Sequence, residues 1–179
     1  CALSHERITS QQLFDAQTGF MRSKNSSGKF IEPFDPLQSE HGFEGQYIEG
    51  TAWQHSFFVP HDITGFAELF GGKEKLIAKL DELFTAPSEL HGENVSADVT
   101  GLIGQYAHGN EPSHHIIYMY TMLGQPAKAA KWIKVVADSM YKTGPDGLVG
   151  NDDCGQMSAW YIWTCLGVYP MNPASGEYV

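Results

Sequence analysis

Three polar clusters interrupt an otherwise apolar chain, and each sets carboxylates beside glycine and aromatic side chains. The first, SEHGFEGQYIEGTAWQHSFFVPHD over residues 39–62, carries Glu40, Glu44 and Glu49, His41, His55 and His61, and Trp53. The second, GQYAHGNEPSHH over residues 104–115, places Asn110 and Glu111 ahead of two adjacent histidines. The third, GPDGLVGNDDCGQMS over residues 144–158, is a glycine-rich loop holding Asn151, Asp152 and Asp153. Two carboxylates facing each other across a pocket are the apparatus of glycoside hydrolysis: one, protonated, serves the leaving oxygen, and the other, ionised, works on the opposite face of the sugar. Trp53 and Tyr47 offer flat faces to a sugar ring, or else pack in the core. Asparagine and acidic side chains together supply hard oxygen donors, which suit Ca²⁺ and not zinc. No CxxC or HExxH spacing is present, and His114 and His115, adjacent on a helix, point to different faces, which argues against one shared metal. Taken singly, each carboxylate also fits a turn or a helix cap: Asp62 reads as an N-cap, and Asn151 to Asp153 precede a helix whose dipole favours acids.

The elements that must position these clusters are helical. DITGFAELF starts at Asp62 and stops at Gly71-Gly72. KEKLIAKLDELF repeats apolar residues at Leu76, Ile77, Leu80, Leu83 and Phe84, a helical spacing. PSHHIIYMYTML begins at Pro112 and ends at Gly124, PAKAAKWIKVVADSMYK runs from Pro126 to about Tyr141, and QMSAWYIWTCLG ends at Gly167. Residues 2–14 read as the end of a further helix, and Pro33 and Pro36 argue against regular structure around them. Strand alternation is weak throughout, so the expected class is all-α, an array of helical hairpins. In such an array every second connection lies at the same end, so the three clusters can converge. HHIIYMYTML and MSAWYIWTCLG are apolar nearly all round and call for neighbours on both sides.

Composition removes several classes of function. With 42% hydrophobic residues and 12% aromatics, the chain is not disordered. No apolar run approaches the roughly 20 residues of a membrane-spanning helix. Acids outnumber bases 21 to 11, a net charge of −10, which repels phosphate backbones and argues against nucleic-acid binding. Cys1, Cys154 and Cys165 form no disulfide framework, although Cys154 and Cys165 are free to pair. The chain opens on Cys1 and stops within NPASGEYV, and we expect it to be a piece of a longer protein.

YIEGTAWQHSFFVPHD, GLIGQYAHGNEPSHHIIYMY and GLVGNDDCGQMSAWYIWTCLGVYPMNPASGEY resemble the signature blocks of glycoside hydrolase family 92, whose members are Ca²⁺-dependent, inverting exo-α-mannosidases. The resemblance runs from about Asp15 to the last residue. It implies that Glu49, in YIEGTAW, is the general acid, with a pKa raised by burial or by neighbouring acids such as Glu44. It implies that Asp153, in GNDDCG, is the general base, with Asp152 in reserve. The family often has an aspartate where this chain has Asn151, a departure that removes one base candidate. Asn110 and Glu111 are the implied Ca²⁺ ligands, completed by a carboxylate of the Asp152–Asp153 loop, Asp153 foremost. Trp53 is the implied sugar platform. His91 and Glu93, in SELHGENVS, resemble the pair that contacts the leaving sugar in members cleaving α-1,2 linkages. The implied fold is an (α/α)₆ toroid preceded by a β-sandwich. Residues 1–179 would then be an incomplete portion of the catalytic domain, lacking the sandwich and inactive alone. The implied substrate is a mannose-containing glycan, and the implied location is secreted, periplasmic or cell-surface in a bacterium. Two other functions stay open on the residues themselves: a toroid glycosidase acting on another sugar, and a non-catalytic helical module that holds Ca²⁺ or carbohydrate. Glu49 separates them, because a binding module has no need of a protonated glutamate opposite a second carboxylate.

Overall fold

Apolar spacing and the residues that end each run account for most of the helices in the computed structural model, which describes residues 10–40 and 45–179. Cys1, His41 and Glu44 lie outside the described residues. The described chain runs α1 (Ser10–Leu13), β1 (Phe14–Asp15), β2 (Phe20–Met21), α2 (Ala52–Ser56), α3 (Ile63–Leu69), α4 (Lys73–Thr85), β3 (Leu102–Ile103), β4 (Tyr106–Ala107), a 3₁₀ turn (Glu111–Ser113), α5 (Ile116–Met122), α6 (Pro126–Met140) and α7 (Gln156–Leu166).

Asp62 does cap α3: its Oδ1 accepts from the Gly65 amide at 2.8 Å. Gly71 and Gly72, at φ 82° and 127°, turn the chain from α3 into α4, a conformation that costs other residues a Cβ clash. The predicted stripe on α4 is the buried one: Leu76, Ile77, Leu80, Leu83 and Phe84. α5 and α6 form the most closely packed hairpin. α5 is buried from Ile116 through Tyr120, as its all-round apolarity requires. α7 is different. Met157 and Trp160 are buried, but Ile162 is 58% and Leu166 65% exposed. Its outer face therefore has no partner among the described residues.

Two features depart from the expected all-α class. β1 pairs antiparallel with β2, and β3 with β4 across Gly104-Gln105. Each strand is two residues long, too short to show a period of two in the sequence. The expected helix from Pro112 is also divided. Residues 111–114 form a tighter turn, with the Ser113 amide bonded to the Asn110 carbonyl and the His114 amide to the Glu111 carbonyl, before α5 begins at Ile116. The tighter turn brings Glu111 round to the end of the molecule where the first cluster lies.

The core is rich in polar side chains that found partners. Arg22, buried beneath the β1–β2 hairpin, donates to Asp15 Oδ2 at 2.8 Å, Glu32 Oε1 at 2.7 Å and the Ile31 carbonyl at 2.7 Å. Three histidines are buried without a carboxylate partner. His115 Nε2 donates to the Phe57 carbonyl (2.7 Å) and His114 Nε2 to the His108 carbonyl (2.9 Å), and the rings of His108 and His114 stack 4.9 Å apart. Burial pushes His108 down to about 3, helped by the neighbouring His114, and pushes His114 and His115 down to about 4. All three are neutral in the fold, whereas in the unfolded chain they titrate near the ordinary 6.5. As pH falls below that value, the unfolded chain takes up protons that the fold refuses. Stability is therefore complete above about pH 6.5 and is lost towards pH 4, by up to about 1.4 kcal/mol per pH unit for each histidine. We expect the urea unfolding midpoint to fall steadily between pH 7 and pH 5. His115→Gln, which keeps a donor for Phe57, should flatten the slope by one histidine's share. A midpoint that does not move across this range would contradict neutral burial.

Candidate active site

Glu49 is set by the entry to α2. Gly50, at φ 71°, turns the chain, and the Thr51 amide donates to Gln54 Oε1 at 2.5 Å. Gln54 Nε2 in turn donates to the Gln105 carbonyl at 2.7 Å, while His55 Nε2 donates to the Glu49 carbonyl. Tyr47 stacks on His55, with ring centroids 5.5 Å apart. The Gln105 side chain, fully buried, donates to the Pro87 and Glu89 carbonyls at 2.6 and 2.9 Å. Glu49 is thus tied through α2 to the β3–β4 turn, 51 residues away between Gln54 and Gln105.

That turn leads directly to the second cluster. Its Asn110 Nδ2 lies 3.4 Å from Glu49 Oε1. Beside Asn110, Glu111 has a buried Oε1 with no hydrogen-bond partner. Burial raises the Glu111 carboxyl above the usual range, and the charges of Asp153 and Glu49 raise it further. Carboxylates from all three clusters therefore feel one another at one place.

The third cluster arrives by backbone contact. A Cβ built on Gly150 would stand 2.5 Å from the Gly109 carbonyl oxygen, closer than real side chains come. Gly150 thus lets the Asn110–Glu111 and Asp152–Asp153 loops touch without a side chain between them, while Gly109 makes room for Thr100. Asp152 is occupied there: its two oxygens accept from the Ser158 amide at 2.8 Å and the Ser158 hydroxyl at 2.9 Å, which ties down the first turn of α7. Asp153 is exposed and sits in a left-handed conformation, φ 44°, followed by Cys154 at φ 60°. Such geometry is costly for residues with a Cβ and collects at functional sites.

Of the residues expected from sequence, the structure gathers Glu49, Asn110, Glu111 and Asp153. It assigns Asp152 to the helix start. Trp53 is a correction: it is buried, edge-on to Phe20 at 4.8 Å with the Lys79 ammonium 4.2 Å from its ring, and it packs the core without offering a face to a sugar. His91 and Glu93 lie on an exposed strap. His91 Nδ1 is 2.6 Å from Asp35 Oδ2, and its backbone pairs with Leu37 and Ser39. Cys154 and Cys165 are both exposed free thiols.

A cavity of about 390 Å³ opens beside Glu111 and Pro112, walled by Phe58, Trp163, Tyr169 and Met171. A larger one, about 710 Å³, is lined by Arg22, Tyr47 and His55 but by none of the four gathered residues, whereas the smaller borders them through Glu111. For a metal, the donor types fit Ca²⁺: the unpartnered Glu111 oxygen, the Asn110 amide oxygen and the exposed Asp153 carboxylate are all hard oxygens. Among the described residues, however, no three acidic, histidine or cysteine side chains are grouped so as to hold a metal ion. An ion here would draw its remaining ligands from water, substrate or other protein segments.

Sequence reading missed the residues that bring the loops together. Gly109-Asn110-Glu111 and Gly150-Asn151-Asp152 repeat the same glycine–asparagine–acid pattern, and that repetition was the available signal. Gln105 and Tyr141 gave none.

The family model described as the glycosyl hydrolase family 92 catalytic domain matches residues 8–179. A curated relative, an uncharacterized secreted glycosidase of Arthroderma benhamiae, is 33% identical over 130 residues, 73% of this chain and 14% of its own length. Among solved structures, a family 92 alpha-mannosidase of Bacteroides thetaiotaomicron in complex with mannoimidazole superposes with a TM-score of 0.83 at 43% identity, covering 94% of this chain and 22% of that one. A family 92 inverting mannosidase of the same organism gives 0.71 at 35% identity, covering 91% and 22%. This chain thus spans less than a quarter of the length of each of these relatives. Because the match extends over nearly the whole sequence, the chain belongs to glycosyl hydrolase family 92.

Proposed function

We propose that this chain is the acid–base portion of a calcium-dependent, inverting exo-α-mannosidase, with a preference for α-1,2 linkages in mannose-containing glycans. The observation that supports the reading is the meeting of three loops: Asn110 Nδ2 stands 3.4 Å from Glu49 Oε1, and the Asp152–Asp153 loop touches Gly109 through Gly150. The family and its mannosidase neighbours supply the substrate class. The helices would be consecutive hairpins of an (α/α)₆ domain, and the rest of that domain and its partner domain would complete the pocket. The unpartnered outer face of α7 supports that incompleteness. Secretion is the location that fits the curated relative's description, and no described helix is long and apolar enough to cross a membrane.

In this mechanism Glu49 holds the proton for the glycosidic oxygen, and Asn110 Nδ2, donating to its carboxyl, fixes which oxygen points away. Asp153 takes the proton of the attacking water. It is the better base of the two aspartates because Asp152 is already engaged by Ser158. Inversion needs room for that water, about 6.5–9.5 Å between the carboxyls. Asn110 and Glu111 would hold Ca²⁺, which when bound would orient neighbouring sugar hydroxyls and water. His91, oriented by Asp35, and Glu93 would meet the leaving sugar.

Three outcomes test this in the intact enzyme that contains the segment. Glu49→Gln should lower kcat on an unactivated α-mannobiose by at least about 10²-fold while leaving mannoside affinity within a few-fold. An equal loss of binding and turnover would favour a carbohydrate-binding role instead. Chelation of calcium should abolish release of mannose and added Ca²⁺ should restore it, with β-mannose as the first anomer seen by NMR. Activity indifferent to chelation, or α-mannose released first, would refute the assignment. The isolated 179-residue chain should show no turnover, and calcium-dependent cleavage by that chain alone would refute its incompleteness.

A further inference from the structure

The loops bearing Glu111 and Asp153 meet at the Gly109–Gly150 contact. One contact is a pivot, about which two loops can still rock. A second tie exists beneath it and plays no part in the chemistry described so far. Tyr106 Oη lies 2.9 Å from His108 Nδ1, His108 Nε2 lies 2.7 Å from Tyr141 Oη, and Tyr141 Oη donates to the Met157 carbonyl at 3.0 Å. The last bond fixes the direction of the rest. Tyr141 gives its only proton to Met157, so it must accept from His108 Nε2–H. His108 Nδ1 is then the acceptor for the Tyr106 hydroxyl. Each donor in the chain has one acceptor, and no proton is left to choose.

The ends of this chain are informative. His108 directly precedes Gly109 and the Asn110–Glu111 pair. Tyr141 follows the last residue of α6 and opens the connection that carries Asp152 and Asp153, and Met157 lies in the first turn of α7, where that connection ends. The chain therefore clamps the base of one loop to both ends of the other. Tyr106 and His108 are fully buried, so water does not compete for the bond between them, and Tyr141 is half-buried. The Tyr141 ring is held independently of its hydroxyl, stacked 4° from parallel on Trp160.

We propose that His108 and Tyr141 are positioning residues for the candidate site: their hydrogen-bond chain sets the separation between the carboxyl of Glu111, the residue proposed to hold Ca²⁺, and that of Asp153, the proposed base. The catalytic consequence rests on the function proposed above, whereas the geometric one does not.

The test is made in the intact enzyme. Tyr141→Phe keeps the stacked ring and removes only the oxygen that links His108 to Met157. We expect kcat to fall about tenfold or more, as misplacement on the order of 1 Å does, with KM within about twofold and the folded fraction unchanged by near-UV circular dichroism. His108→Leu should behave in the same way, and His108→Gln, whose amide can still donate towards Tyr141, should recover most of kcat. Wild-type kcat in Tyr141→Phe and His108→Leu, or a loss that tracks the folded fraction, would overturn the proposal. Crystal structures of the wild type and Tyr141→Phe give a second reading independent of turnover. A Glu111–Asp153 separation changed by about 1 Å supports positioning, and an unchanged separation overturns it. If the wild type cleaves no mannoside yet the separation moves, the positioning role stands and the proposed function fails.

Discussion

A side-chain amide with no access to water holds the two halves of the site in register. Gln105 sits at the tip of the β3–β4 turn and binds the Pro87 and Glu89 carbonyls, while its own carbonyl receives Gln54 from α2. Its amide binds the Leu83 carbonyl at the end of α4. Three stretches, α2, residues 83–89 and the β3–β4 turn itself, therefore meet at one residue. Glu49 hangs from α2 on one side of it, and Asn110 and Glu111 follow from β4 on the other. A buried polar group of this kind is costly unless every donor and acceptor is met, and here each partner comes from a segment that carries or supports the site.

The site spends stability for chemistry at two points. Glu111 is half-buried among other carboxylates, with one oxygen unpartnered, and both effects disfavour its charge. Asp153 and Cys154 occupy left-handed backbone geometry that glycine would accept more readily. Both places lie in the loops that bring the acids together, while helices α4 and α5 carry densely apolar buried faces. A rigid helical layer can hold a strained, like-charged loop cluster that no loop could hold alone.

What was legible in sequence followed from local rules. The stripe Leu76 to Phe84, the Asp62 cap, and the stops at Gly71-Gly72, Gly124 and Gly167 rest on spacing and backbone freedom within a few residues, and each is found in the structure. Glu49, Asn110, Glu111 and Asp153 stand out as candidates because carboxylates and amides are rare beside apolar helices, and because whole blocks resemble a known family. The misses are non-local. Nothing near Trp53 tells that Phe20 and Lys79 will enclose it. Nothing near Tyr141 tells that His108 will reach its hydroxyl. The two-residue strands left no periodicity, and the 3₁₀ turn at Glu111–Ser113 differs from a helix start only in which carbonyl each amide reaches, a difference that residue spacing does not show.

The contact between Gly109 and Gly150 also bears on how the molecule opens. Two loops that touch through their main chains, with no side chain able to swing aside, cannot fray one at a time: displacing either exposes the backbone of the other. The two loops are therefore coupled in their native-state openings, through this contact and through the Tyr141 hydroxyl. In most proteins the functional loops are the first to exchange with solvent. Here the acid-bearing loops are tied to the helices that flank them, through Tyr141 at the end of α6 and Ser158 in α7.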